Sequence, residues 1–217
     1  MVKCETCKKE YPDWYSAYHI EMKITNVLGS IPENFEALKY VVRHYQQKFK
    51  LTKREAEAVA NLPKEYIEHQ WGEEQEQPEQ PSVRSVFRRT KDGKPYFSYG
   101  QIIGWLEEAM KSLGLTKVIK NIPLTFVTEP RKIVPKEYKM VGDIVVPVQK
   151  YSGGPTALCV HECMEYCVLV FDLLTTNKTF DKYADQIFEV GRRMIGFGPR
   201  RAHGFGEIEE LKWKKLD

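Results

Sequence analysis

Cysteine is scarce in this sequence, long apolar runs are missing, and neither sign of charge dominates. Five cysteines in 217 residues is an odd number, which fits reduced thiols or a metal site better than a complete disulfide framework. No stretch approaches the roughly 20 apolar residues of a membrane-spanning helix, so no membrane partner is expected. Met1-Val2-Lys3-Cys4 lacks the apolar core of a signal peptide, and the expected location is cytoplasmic. The net charge is only +3, from 33 Lys and Arg against 30 Asp and Glu. That excess is too small to argue for a nucleic-acid partner, so the distribution of charge has to decide. There is no GxxxxGK[ST] loop, no GxSxG elbow and no HExxH. Hydrophobic residues make up 42%, enough for a core, and the length suits one domain spanning 1–217 with insertions.

Glycine, by contrast, is concentrated near the carboxyl end. Gly196-Phe197-Gly198-Pro199-Arg200-Arg201-Ala202-His203-Gly204-Phe205-Gly206 holds four glycines, with Arg192 and Arg193 just before it. Such a stretch is neither helix interior nor ordinary strand. Glycine permits positive φ and close backbone approach. Main-chain amides without side-chain cover, beside guanidinium groups, suit a polyanion backbone. The loop at 195–206 is therefore expected to hold RNA through Gly196, Gly198, Arg200, Arg201, His203, Gly204 and Gly206.

At the other end, Cys4-Glu5-Thr6-Cys7 is half of a zinc knuckle within an amino-terminal segment 1–16. A tetrahedral site needs two more ligands. Cys159, His161, Cys163 and Cys167 are spaced by even numbers, so a regular strand would turn all four to one face. Zinc held by Cys4, Cys7, Cys159 and Cys163 is one reading. Mobile amino-terminal thiols and small apolar cysteines on a buried strand are the other.

Tyr18 to Leu28 alternates, with Tyr18, Ile20, Met22, Ile24 and Leu28 on one face and His19, Glu21, Lys23 and Thr25 on the other. This predicts a half-buried strand. Gly29-Ser30-Ile31-Pro32 breaks it, and Glu33 to Phe49 reads as a helix. Residues 50–82 read as an insertion: a capped helical segment from Thr52, then the acidic, proline-containing stretch Glu73–Pro81, which has no apolar residue to bury. Arg84 to Phe97 predicts a hairpin around Asp92-Gly93. Arg88, Arg89 and Lys91, interleaved with Phe87, Tyr96 and Phe97, offer phosphate pairing and base stacking to single-stranded RNA. The same aromatics would serve equally as core. Alternation forbids Arg88 and Arg89 from both facing inward.

Ser98 caps a helix to Leu113, ended by Gly114. Residues 117–126 could form a strand, and 127–155 reads as a long β-hairpin arm carrying several lysines. Thr156 to Leu174 is the longest apolar strand region. A helix starting at Asn177 or Thr179 follows, with Phe180, Tyr183, Ile187, Val190 and Met194 inward. In the last strand Ile208 is out of step with Leu211 and Trp213, which a bulge would reconcile. The order predicts an α+β fold: a ferredoxin-like (RRM-like) βαββαβ sheet with helices on one face, plus the helical insertion and the β-hairpin arm.

The chain resembles the RAMP superfamily of CRISPR-associated RNA-binding proteins. The likeness rests on the Gly-rich loop between the last helix and last strand. It is most similar to solitary RAMP-like proteins of phage or mobile elements. These combine a Leu28-Gly29-Ser30-Ile31-Pro32 step with a Phe87-Arg88-Arg89…Gly93-Lys94-Pro95-Tyr96 hairpin and a capped helix. The likeness covers residues 17–32, 84–114 and 156–213. It implies a ferredoxin-like fold and RNA binding by the Gly-rich loop; other subunits of a ribonucleoprotein are a further candidate partner. Three functions follow: a non-catalytic RNA binder, a metal-independent endoribonuclease using His203 or His19 as general acid or base, or a protein-interaction module with a structural zinc.

Overall fold

The longest apolar stretch of the sequence becomes the strand on which the sheet is assembled. In a computed structural model of the chain, residues 2–3, 10–12, 14–32, 46, 50, 52, 84–119, 125–149, 156–199 and 204–216 are described. The described strands, in order, are β1 (Val2–Lys3), β2 (Glu10–Tyr11), β3 (Ser16–Leu28), β4 (Ile31–Pro32), β5 (Arg84–Val86), β6 (Arg88–Arg89), β7 (Pro95–Ser98), β8 (Phe126–Glu129), β9 (Lys132–Ile133), β10 (Glu137–Gln149), β11 (Thr156–Thr175) and β12 (Glu207–Lys215). The helices are α1 (Tyr99–Ser112), α2 (Lys178–Asp181) and α3 (Ala184–Val190), the last continuing into a π-helical turn, Gly191–Ile195. The fold is a mixed α+β fold.

The 20 residues of β11 are long enough to serve two neighbours on each edge. One edge pairs antiparallel with β10 and then β8; the other pairs parallel with β5 and then antiparallel with β3. β12 joins the far side of β3, also antiparallel. The order β12-β3-β11-β10 puts the last strand beside the first long one. The segment expected as an excursive arm is part of this sheet, because β10 pairs with β11 over its whole length. A short 3-10 turn (Leu115–Lys117) reaches the start of the stretch 117–126 that suggested a strand, residues 120–124 lie outside the described ones, and β8 starts at Phe126. The expected helix over 33–49 and the insertion at 50–82 fall outside the described residues, save positions 46, 50 and 52.

The core lies between the sheet and α1 with α3. Ser98 caps α1 as expected, its backbone N–H donating to the Gln101 side chain at 2.8 Å, and Gly114 closes the helix at φ 70°. Phe188 on α3 packs on Trp105 of α1 and on Tyr18, Phe180 and Trp213, all within 6.2 Å between ring centroids. Burying a ring of this size contributes about 1.5–3 kcal/mol. The bulge expected in β12 is present, between Ile208 and Glu210, and it returns Ile208 and Leu211 to the core. Met194, expected inward, is 73% exposed, while Ile195 packs on the core. The π turn is the cause: Gly196 N–H bonds back five residues to Gly191 O at 3.2 Å, which shifts the helical phase by one residue.

A crease crosses the sheet. On β3 the core residues Ile24 and Val27 are three apart, with Asn26 between them at φ 50°. Met164 and Cys167 on β11 are likewise three apart, and the Asn26–Glu165 pair is missing from the ladder. β10 shifts register at the same level, around Met140 and Gly142. Each strand changes the phase of its side chains here. Leu28, expected on the face of Ile24, therefore points the other way and joins Cys163 and Val146 in a second cluster.

Candidate nucleic-acid interface

Phe205, near the end of the Gly-rich stretch, packs against that second cluster. Phe197 N–H donates to Gly206 O at 2.6 Å, and Gly206 N–H donates to Asn26 O at 2.9 Å. These bonds pin both ends of the span 198–205 against the crease. Gly206 has φ 69°, and a Cβ there would lie 1.7 Å from Phe197 O, so only glycine fits. Gly204 is exposed with open space about it. Gly196 and Gly198 also hold positive φ, at 67° and 87°. The expectation of uncovered amides is corrected in part: the N–H groups of Gly196, Phe197 and Gly206 are bonded to backbone carbonyls that form the stem. Arg200, Arg201 and His203 lie outside the described residues.

Phe197 is fully buried and packs edge-on against Phe97 of β7, 5.6 Å between centroids. This contact places the loop beside the hairpin β6–β7, which forms around the expected turn with Gly93 at φ 75°. β9 extends the hairpin to three strands. Lys91, Lys94, Arg131 and Lys132 are exposed on this small sheet. Lys132 Nζ stands 5.3 Å from the Tyr96 ring centroid and Arg131 5.9 Å from that of Tyr99.

Phe87, Tyr96 and Phe97 are core residues here, at most 3% exposed, so they do not stack on a ligand's bases. Arg88 is 8% exposed, which removes its side chain from a surface contact set. Arg89 faces out, as alternation requires, and pairs with Glu162 while donating to Gly93 O at 3.1 Å. Glu162 also accepts the Phe87 N–H at 2.9 Å. The Gly29 step is gripped from β11: its N–H bonds Glu162 O at 2.8 Å, and His161 Nδ1 lies 3.0 Å from its carbonyl. A Cβ at Gly29 would meet the Val86 backbone at 2.5 Å, which explains the glycine of the Leu28–Pro32 step.

On the β3, β10, β12 and α3 surfaces several charges are paired. Lys23 pairs with Glu209, Lys139 with Glu165, and Lys212 with Glu210, at 2.6–2.8 Å. Arg192 and Arg193 both bind Glu189, which holds the Glu189 carboxyl below its ordinary value and the Arg192 guanidinium above its own. A polyanion gains less on these paired surfaces than on the hairpin.

No family model matches the chain, and no curated protein matches it. It is similar to a chain in a cryo-EM structure of a Type III-B Cmr-beta bound to cognate target RNA, at 11% identity and a TM-score of 0.45. The match covers 93% of this chain and 61% of that one, so this chain spans under two thirds of its neighbour's length. A likeness this shallow carries no weight for fold or function.

His19, the second catalytic candidate, stands elsewhere. Its Nδ1 lies 2.7 Å from Asp172 Oδ1, and Asp172 is 1% exposed and accepts the Tyr11 hydroxyl at 2.9 Å. His19 is seven residues down β3 from Asn26, about 23 Å of extended chain from the loop stem. The sequence reading missed Asp172, which alternation places on the polar face of an otherwise apolar run. Among the described residues, no group of three or more His, Cys, Asp and Glu could hold a metal. Cys159 and Cys163 are buried on the loop side of the sheet, while Cys167 faces the main core across the crease, where burial pushes its thiol up to about 12. Burial raises the Cys163 thiol too. Cys4 and Cys7 lie outside the described residues. The hairpin β1–β2 beside them is anchored at Asp172, nine residues or about 30 Å along β11 from Cys163.

Proposed function

We propose that this protein is a non-catalytic RNA-binding protein, built on a ferredoxin-like sheet of RAMP type, that works as a subunit of a ribonucleoprotein. The observation that carries this reading is the Phe197–Phe97 contact. It joins a stem of positive-φ glycines, whose span includes Arg200, Arg201 and His203, to the small three-stranded sheet on which Lys91, Lys94, Arg131 and Lys132 are exposed. The exposed cations of this small sheet suit the phosphates of one strand. The separation of His19 from the loop stem, about 23 Å of extended chain, leaves His203 as the one catalytic candidate within the loop.

The test is a fluorescence-anisotropy titration of a single-stranded RNA across a salt series. Affinity is expected to fall steeply as salt rises, through release of condensed counterions. The double variant Arg200→Ala/Arg201→Ala is expected to bind about tenfold more weakly, for two lost charge-assisted contacts. Salt-independent binding, or unchanged affinity in the double variant, would overturn the reading.

A further inference from the structure

Asn26 lies in the middle of a 13-residue strand yet has φ 50°, a left-handed conformation that most side chains resist. Its neighbours Thr25 and Val27 pair normally with Tyr166 and Met164, while Asn26 drops out of the ladder opposite Glu165. Its carbonyl takes the Gly206 N–H, so the residue is fixed to the foot of the Gly-rich loop. The paired neighbours and the Gly206 bond hold this conformation in place, and asparagine is one of the few side chains that tolerate it. Leu28 and Val27 beside it are buried, whereas the Asn26 side chain is turned out to solvent.

A carboxamide presents a donor and an acceptor side by side, which matches the polar edge of any nucleobase. A phosphate would find only the donors useful. About this level of the sheet Lys139 is cancelled by Glu165 and Lys23 by Glu209, and Glu207, opposite Thr25, adds an exposed carboxylate. A neutral reader among cancelled cations and a carboxylate favours a base over a phosphate.

We propose that Asn26 is a base-reading residue, hydrogen-bonding the edge of one unpaired nucleobase beside the Gly-rich loop. This rests on the RNA-binding reading above, and deepens it from backbone grip to base recognition. The crease is the device that delivers the side chain: it turns one residue out of the sheet at the point where the loop is tied down.

The experiment titrates a 12-nucleotide single-stranded RNA, and its set of single abasic variants, against wild type, Asn26→Gly and Asn26→Asp. Glycine adopts positive φ without strain, so Asn26→Gly deletes the carboxamide while its melting temperature stays at or above wild type. Asn26→Asp keeps the shape and removes the amide donors. At one position, loss of the base is expected to weaken wild type about fivefold or more, the size of a two-point base contact, and to leave both variants unaffected. If every abasic position affects all three proteins equally, Asn26 is not a reader and the RNA-binding reading stands. If wild type does not bind the parent RNA, both fall.

Discussion

Beyond the crease, β11 turns Cys167, Leu169, Phe171 and Leu173 into the main core beneath α1 and α3. Before it, Cys159, His161 and Cys163 are buried on the opposite side, where Cys163 joins Leu28 and Val146 in a small cluster against which Ile144 and, from the Gly-rich loop, Phe205 pack. One end of the strand is held by interlocking aromatic rings, the other by pinned backbone: the Gly29 peptide, the Phe87 N–H and the loop stem. Dense apolar packing tolerates little change in volume but no ligand can use it. Backbone pinned at its ends leaves a span to be occupied. The division predicts stability from the helical half and recognition from the loop half.

The largest effect should come from the helical half. Phe188→Ala removes a fully buried ring touching four others and is expected to cost about 3–5 kcal/mol in urea denaturation, against about 1 kcal/mol for Cys163→Ala in the loop half. Equal losses would erase the distinction between the two ends of β11. Within the loop half, Gly206→Ala forces a Cβ into the Phe197 carbonyl at positive φ and is expected to cost more than about 3 kcal/mol. Gly204→Ala, with open space around it, should cost only about 1–2 kcal/mol for its φ of 80°. A Gly204→Ala loss as large as that of Gly206→Ala would mean the loop is not held at its stem.

The smallest effect is in acid. Burial raises the Asp181 pKa, but hydrogen bonds from Tyr18, Lys215 and Ser16 outweigh it, so the carboxyl titrates below its ordinary 3.8. A depressed folded value means this stabilisation is present in full above 3.8 and is lost as pH falls through the lower folded value. Burial and the same Asp181 hold the Tyr18 hydroxyl well above its usual range. Asp181→Asn is therefore expected to flatten the acid limb of the stability profile below pH 4 while leaving binding by the loop half untouched. An acid limb identical to that of wild type would remove Asp181 from the pH response.

Sequence pattern reached the elements whose cause is local. Ser98 and Gly114 bound α1, Asn177 caps α2, Asp92-Gly93 turns the β6–β7 hairpin, and the misfit of Ile208 with Leu211 announced a bulge, because caps, turns and alternation are set by a few adjacent residues. It failed where phase is set from afar. Leu28, Met194 and the Cys159–Cys167 run were each placed by an unbroken period, and in each case one inserted residue reversed the outcome. At Asn26 and Glu165 the insertion is shared by neighbouring strands; at Gly191–Ile195 it is a π turn. Period alone does not record such a slip.

The amino acids by themselves determined that glycines 196–206 are a loop, that basic groups gather on one hairpin, and that β11 is buried. Only the tertiary structure decided that Phe87, Tyr96 and Phe97 are core, that Phe197 joins loop to hairpin, and that His19 stands apart from both. The reason is that composition fixes what a segment can bury, while the partner it is buried against comes from residues distant in the chain, such as Phe97 for Phe197 and Asn26 for Gly206.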